Sequence, residues 1–183
     1  LSDNNGNIIK RVSFKFSLNG TLIGNSARCL YVDTQYIGWT FVYNYGANDK
    51  YCFAITDKNG NILKYTIEEN IIGLYILNSH VYVVYYTYSS SSNPVYMDIY
   101  DMSLNYISRI DIAFFTYIDS LDYFTVAPDN KTLIFKTTSH DGEDVMRYLH
   151  KFNTDTNTYS YTDISTISNF DRFFISSNYF VHY

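Results

Sequence analysis

The sequence predicts an all-β chain made of repeated four-stranded units, and three observations carry that prediction. The first is composition. Among 183 residues stand 21 Tyr and 13 Phe, with only 8 Gly and 2 Pro, and Tyr, Phe, Ile, Val and Thr suit pleated strands. No window holds the apolar spacing of a helix. The second is the stretch Tyr51 to Tyr65, where Asp57-Lys58-Asn59-Gly60 separates the apolar runs Phe53, Ala54, Ile55 and Ile62, Leu63. Asn-Gly tolerates positive φ and Asp bonds its own turn, so the stretch reads as a hairpin. The third is recurrence. Asp3-Asn4-Asn5-Gly6-Asn7 nearly repeats the string, Asp101-Met102-Ser103-Leu104-Asn105 keeps its Asp and Asn, and Asn153-Thr154-Asp155-Thr156-Asn157 is a looser copy. The aspartates 3, 57, 101 and 155 lie 54, 44 and 54 residues apart, and a second series of short polar turns at 33–35, 78–80, 128–130 and 176–178 runs in phase with them.

Between those turns the elements follow in order. Residues 7–16, NIIKRVSFKF, read by phase as an outermost fourth strand. A whole unit then spans 27–67, with strands at 27–32, 35–43, 50–56 and 61–67. A second spans 71–112, with strands at 71–77, 81–88, 95–100 and 104–112. A third spans 122–163, with strands at 122–127, 131–137, 145–152 and 157–163. A partial fourth, 172–183, begins with strands at 172–175 and 178–183. Each strand is a short run rich in aromatic and β-branched residues bounded by Asn, Asp, Ser or Pro.

A period of about 45 to 50 residues with four strands per unit is that of propeller blades. In that respect the chain resembles a β-propeller of the broad WD40-like, kelch-like or quinoprotein-like kind, over its whole length. The Gly-His and Trp-Asp signatures of WD40 repeats and the paired glycine of kelch are absent, so no subfamily is assigned. The expected architecture is three complete blades with partial blades at both ends, forming a single domain over 1–183. Closure of a ring from these strands would lack one, and the first residue is not Met. The chain is therefore expected to be part of a longer propeller.

Alternating strand directions sort the connections onto two faces. One face holds the short turns between first and second and between third and fourth strands. The other holds the connections at 44–49, 89–94 and 138–144 and those between units at 17–26, 68–70, 113–121 and 164–171. These vary in length and chemistry, and variable loops on a rigid repeat are where binding specificity usually sits. Tyr45, Tyr88, Tyr117 and His140 fall on this face and are the candidate contact residues.

Composition narrows the partners. A net charge of −5 with no run of Lys or Arg argues against a nucleic-acid backbone, which needs a basic stripe. No apolar run approaches the roughly 18 residues of a membrane span, so membrane insertion is not expected. Cys29 and Cys52 fall on the first and third strands of one unit. Two strand spacings are about 9.6 Å, beyond the roughly 7 Å that a disulfide bridges, so two free, buried thiols are expected. Asn19-Gly20-Thr21 and Asn130-Lys131-Thr132 are glycosylation acceptors. The low Lys content with abundant Tyr, Asn, Ser, Thr and Ile resembles surface and virion proteins of hot, acid-loving archaea and their viruses.

Catalytic and metal motifs are weak. His140-Asp141-Gly142-Glu143-Asp144 is the densest polar cluster and reads as a solvated hairpin tip. Asp57 to Asn61, with Glu68 beyond, has its glycine at the fourth position and not the sixth, so a hairpin explains it better than a calcium loop. Histidines 80, 140, 150 and 182 lack metal-ligand spacing, and no cofactor motif is present. Asp98, Asp111, Asp119 and Asp122 are the carboxylates available to a glycosidase-type pair. Trp39, the single Trp, reads as a wedge between blades.

The expected function is a non-catalytic interaction or structural module in an extracellular or virion-surface assembly, binding protein or glycan through the variable-loop face. The alternative is a glycan-active propeller hydrolase with carboxylates near a central channel. A third reading has the unpaired strands 7–16 and 178–183 pairing edge to edge with another chain.

Overall fold

The computed structural model describes residues 26–45, 48–59, 61–68, 70–87, 93–115, 117–141, 144–166, 173–175 and 180–182. The described residues form strands β1 (Ser26–Val32), β2 (Tyr36–Tyr45), β3 (Asn48–Asp57), β4 (Ile62–Glu68), β5 (Ile71–Leu77), β6 (His80–Tyr86) and β7 (Asn93–Asp101). They continue as β8 (Tyr106–Phe115), β9 (Tyr117–Val126), β10 (Thr132–Asp141), β11 (Asp144–Asn153), β12 (Thr158–Asp163), β13 (Phe173–Ile175) and β14 (Phe180–His182). They assemble into three four-stranded sheets in sequence order, β1 to β4, β5 to β8 and β9 to β12, with β13 and β14 as a separate pair. The chain is all-β with antiparallel sheets, and each predicted unit of four strands is one of them. The candidate leading strand at 7–16 lies outside the described residues.

The turns work as their side chains dictate. Asp57 Oδ1 accepts from the backbone N–H groups of Asn59 and Asn61, and Oδ2 accepts from the Asn61 side-chain amide. Asp101 does the same for Ser103 and Asn105. The two strings therefore fold into one turn, but Leu104 occupies the position that Gly60 holds in the first copy, and it takes a left-handed φ of 57°. Asp33, Asp129 and Asn153 cap other turns through the same kind of bond to N–H groups two and three residues on. Asn78 and Ser79 have φ of 50° and 60°, the mirror-image two-residue turn that matches strand twist.

Connections on the second face are shorter than the sequence suggested. Pairing continues through Asn44↔Asp49 and Tyr45↔Asn48, and through His140↔Val145 and Asp141↔Asp144. Only residues 46–47 and 142–143 remain between those strands, and only 116 between β8 and β9. The expected loops at 44–49, 113–121 and 138–144 are thus largely strand. The reason is physical: polar residues at a strand tip still pair through the backbone, while a reading by apolar alternation stops where the hydrophobic side chains stop.

By compactness the chain divides into two units, Leu1–Tyr85 with Ile99–Ile107, and Tyr86–Asp98 with Ser108–Tyr183. In the first, β1 and β2 pack on β5. The Tyr31 and Tyr75 rings meet edge to face at 4.8 Å. A Cβ at Gly38 would run into Leu74 Cδ2 and sit 3.2 Å from Tyr31 Cβ, so only glycine allows this approach. Phe53 on β3 meets Tyr100 on β7 at 5.5 Å. The core here is apolar: Phe53, Ile55, Leu74, Val81, Val83 and Val84 are fully buried, each contributing about 1.5–3 kcal/mol by leaving water.

In the second unit the core lies around β10 and β11, with Leu133, Phe135 and Phe152 fully buried. The opposite face of that sheet is closed by Ile134, Leu149 and Ile164, with Ala127 packed against them. Polar side chains are buried here too, among them Thr137, Ser139 and His150. Strands β6 and β10 are buried on both faces over Val81–Tyr85 and Leu133–Thr137, while β12 is exposed on nearly every residue.

Candidate functional site

The most developed polar constellation grows from the alternation in β11. Met146, Tyr148, His150 and Phe152 share one face of the sheet. Register sets His150 opposite Phe135 on β10 and Tyr161 on β12, and Tyr148 opposite Thr137 and Asp163. The imidazole lies parallel to the Phe135 ring at 4.6 Å and 10°, and nearly parallel to Tyr159 at 6.0 Å and 15°. A histidine thus fills an aromatic slot in the middle of a core.

Its hydrogen bonds fix its chemical state. Tyr159 donates its hydroxyl to the Ile112 carbonyl at 2.6 Å. The Tyr159 oxygen is therefore the acceptor toward His150 Nδ1, 2.7 Å away. Nδ1 carries the proton, and Nε2 accepts from the Thr137 hydroxyl at 2.7 Å. The hydrogen bonds run from the Thr137 hydroxyl through His150 and Tyr159 to the Ile112 carbonyl, and both imidazole nitrogens are used. Burial, which penalises the imidazolium, lowers the His150 pKa to about 3. Burial also raises the Tyr159 pKa. The relay is neutral at physiological pH.

A hydroxyl on a histidine held by a third group has the outline of an activated nucleophile. Thr137 is 0% exposed, however, so no substrate reaches its oxygen. The arrangement is a lock that ties β10, β11 and β12 to the β8 backbone. The edge of the same constellation is open. Tyr161 is 59% exposed although its ring touches Tyr148 at 5.8 Å, Tyr159 at 6.2 Å and His150 at 6.2 Å.

Of the carboxylates offered for a hydrolase, Asp98 and Asp111 have described side chains. Asp98 is 2% exposed and binds Arg109 through Nε at 2.8 Å and Nη2 at 3.0 Å, while that guanidinium also covers Tyr96 at 4.7 Å. Asp98 is thereby committed to a side-on ion pair. Asp111 is exposed on β8, and the side chains of Asp119 and Asp122 lie outside the description. Among the described residues no cluster of three His, Cys, Asp or Glu side chains is placed to hold a metal. The Asp57 carboxylate is filled by N–H donors, which leaves the hairpin reading of that string intact.

The contact residues chosen from sequence are placed as follows. Tyr45 ends β2, paired with Asn48. Tyr117 opens β9, and its cross-strand partner is His140, so two of the four candidates are neighbours. Both lie on strands and not on loops, as does Tyr45; His140 is exposed. Tyr88 and the acceptor Asn19 lie outside the described residues. Asn130 is exposed in the turn between β9 and β10 with φ of 54°, and its N–H donates to the Ala127 carbonyl. Both cysteines are free, on β1 and β3 as predicted, but Cys29 is exposed while Cys52 is buried. The expected burial of Cys29 is thus corrected: β1 is an edge strand whose ladder shifts register between Cys29 and Tyr31. Burial raises the Cys52 pKa to about 11. Trp39 is half-buried and donates to Thr56 Oγ1 at 3.1 Å.

Sequence reasoning left His150 among the scattered histidines. Its signal was present, since it alone interrupts the aromatic alternation of Tyr148 and Phe152, but its hydrogen-bond partners come from two other strands, β10 and β12. Comparison with family models, curated proteins and solved structures finds no match.

Proposed function

We propose that the three sheets are consecutive blades of a β-propeller, and that the chain is a non-catalytic interaction or structural module of an extracellular or virion-surface assembly. Stacking in phase supports the architecture. Within one unit first strand meets first strand (β1 on β5) and third meets third (Tyr100 of β7 on Phe53 of β3). Within the other, fourth meets fourth through Tyr159 and the Ile112 carbonyl. Each first-to-second strand ladder also carries a register shift, the local bend that bulges provide.

The observation that carries the function is where large apolar side chains face water. Of the four exposed ones among the described residues, Tyr106, Ile107 and Tyr161 stand on the fourth strands β8 and β12. Tyrosine gives broad contact area at low entropic cost and suits protein or glycan ligands. The mechanism is rigid presentation: stacked sheets fix the aromatic positions before the ligand arrives.

The test is a binding screen of the purified chain on a glycan array and against extracellular protein fractions, beside Tyr106→Ser, Ile107→Ser and Tyr161→Ser combined. Binding that disappears in the triple variant while the thermal midpoint holds supports the reading. Turnover of aryl glycosides that survives the triple substitution would sink it in favour of the hydrolase. Mass mapping of Asn130 peptides from the native source tests the extracellular assignment, with hexose increments as the supporting outcome.

A further inference from the structure

The geometry points to a saccharide subsite on the outer edge of the third sheet, formed by Tyr148, Tyr161 and Asp163 and taking a single pyranose ring. It rests on the interaction-module reading and narrows that module's ligand to glycan.

Three features converge. Tyr148 and Asp163 are directly opposite across β11 and β12, and Tyr161 is two residues before Asp163 on the same strand, so all three share one face of the sheet. The spacing along β12 is roughly 7 Å, a span that one sugar ring with its hydroxyls bridges. The Tyr161 ring is braced by Tyr148, Tyr159 and His150, yet more than half of it meets water. A fixed ring with an open face is what the C–H face of a pyranose stacks upon, because those C–H groups are weakly positive and the ring face is negative. The hydrogen-bond lock behind it keeps the ring from turning inward, since His150 and Tyr159 are held by Thr137 and the Ile112 carbonyl.

Asp163 supplies the polar half. Its Oδ1 accepts from the N–H and hydroxyl of Ser165. Those two bonds orient the carboxylate and favour its charged form, while Oδ2 makes no hydrogen bond among the described residues. A carboxylate oxygen beside an aromatic face accepts from sugar hydroxyls and offers little to an apolar peptide side chain. The surroundings agree. Among the described residues Tyr161 is the one large apolar side chain of β12 that is exposed, whereas a stable protein interface needs a broad apolar centre of about 1,000 Å² or more in total.

The experiment is a titration of the full chain with methyl glycopyranosides of glucose, mannose, galactose and N-acetylglucosamine, followed by saturation-transfer NMR. Wild type is compared with Tyr161→Ala, Asp163→Asn and Thr162→Ala, the last on the opposite face of β12. At least one glycoside is expected to receive transfer through its ring C–H protons. Tyr161→Ala should weaken its binding about tenfold or more and Asp163→Asn several-fold, with Thr162→Ala unchanged. Thermal midpoints of all variants are read in parallel, and Tyr161→Phe, which keeps the ring and fold, should retain stacking. No transfer from any glycoside, or binding that Tyr161→Ala and Asp163→Asn both leave intact, overturns the subsite. If the same chain still captures a protein through Tyr106 and Ile107, the interaction-module reading survives that failure. If it captures neither, both readings fall.

Discussion

The cores of the two compact units solve one packing problem with different chemistry. Around Phe53, Leu74 and Val81–Val84 the first is closed mostly by hydrocarbon, with the Thr40 and Thr56 hydroxyls its buried polar groups among the described residues. Around Phe135 and Phe152 the second buries His150, Thr137 and the Tyr159 hydroxyl bond. Hydrocarbon packing is non-directional, so it tolerates exchange among residues of similar volume. A buried relay is directional: each member fixes the next, and one wrong atom leaves an orphan. The difference teaches where this chain has freedom and where it has specificity.

The comparison can be broken most forcefully by truncation. Phe53→Ala should cost about 3–5 kcal/mol in urea unfolding, the loss typical of a buried aromatic. Phe135→Ala should cost a similar amount and also strip the stacked face from His150. A volume-conserving exchange separates the two cores more sharply. Leu74→Met should cost less than about 1.5 kcal/mol. His150→Leu should cost about 1–3 kcal/mol, because the buried Thr137 hydroxyl loses its acceptor. Equal small losses for both would show that the relay adds no specificity.

Acid provides a third contrast. The folded pKa of His150 is lowered to about 3, against about 6.5 for an unfolded histidine. Between those values the unfolded chain binds the extra proton, so stability rises with pH and is lost as pH falls below about 6.5. The slope from this one group approaches about 1.4 kcal/mol per pH unit. It is cleanest from pH 6 to 4.5, above the range where the aspartates with lowered pKa, Asp33, Asp101, Asp129 and Asp163, take up protons even when unfolded. Denaturant midpoints across that window should slope in wild type and flatten in His150→Gln; a parallel pair of curves would count against the buried neutral imidazole.

The smallest effect has the opposite sign. Leu104→Gly relieves a left-handed leucine in a turn whose sister copy carries glycine, and should raise stability by about 0.5–1 kcal/mol, net of the entropy that glycine adds to the unfolded chain. An unchanged or lower midpoint would mean that Leu104 makes a contact worth more than its backbone strain.

How much of this was legible in the sequence follows from the range of each interaction. The Asp57 and Asp101 turns were readable because Asp and Asn act on N–H groups two to four residues away, inside one string. Strand β5 falls at the predicted 71–77 for the same local reason. The strand tips were misjudged where polar residues pair, as at Asp141↔Asp144, because backbone pairing leaves no trace in side-chain alternation. The candidate site was less legible still. Tyr148 and Tyr161 were visible only as two of many tyrosines, and Tyr45, Tyr117 and His140 were chosen for loops that proved to be strand.

What the sequence determined by itself is therefore the all-β class, the four-strand unit and its turns, since strand propensity, alternation and Asx capping act over a few residues. What only the tertiary structure decided is which residues meet across strands: the neutral tautomer of His150, the burial of Thr137, the commitment of Asp98 to Arg109, and the exposure of a braced Tyr161. Those depend on register and sheet stacking, where a shift of one residue sends every side chain to the other face.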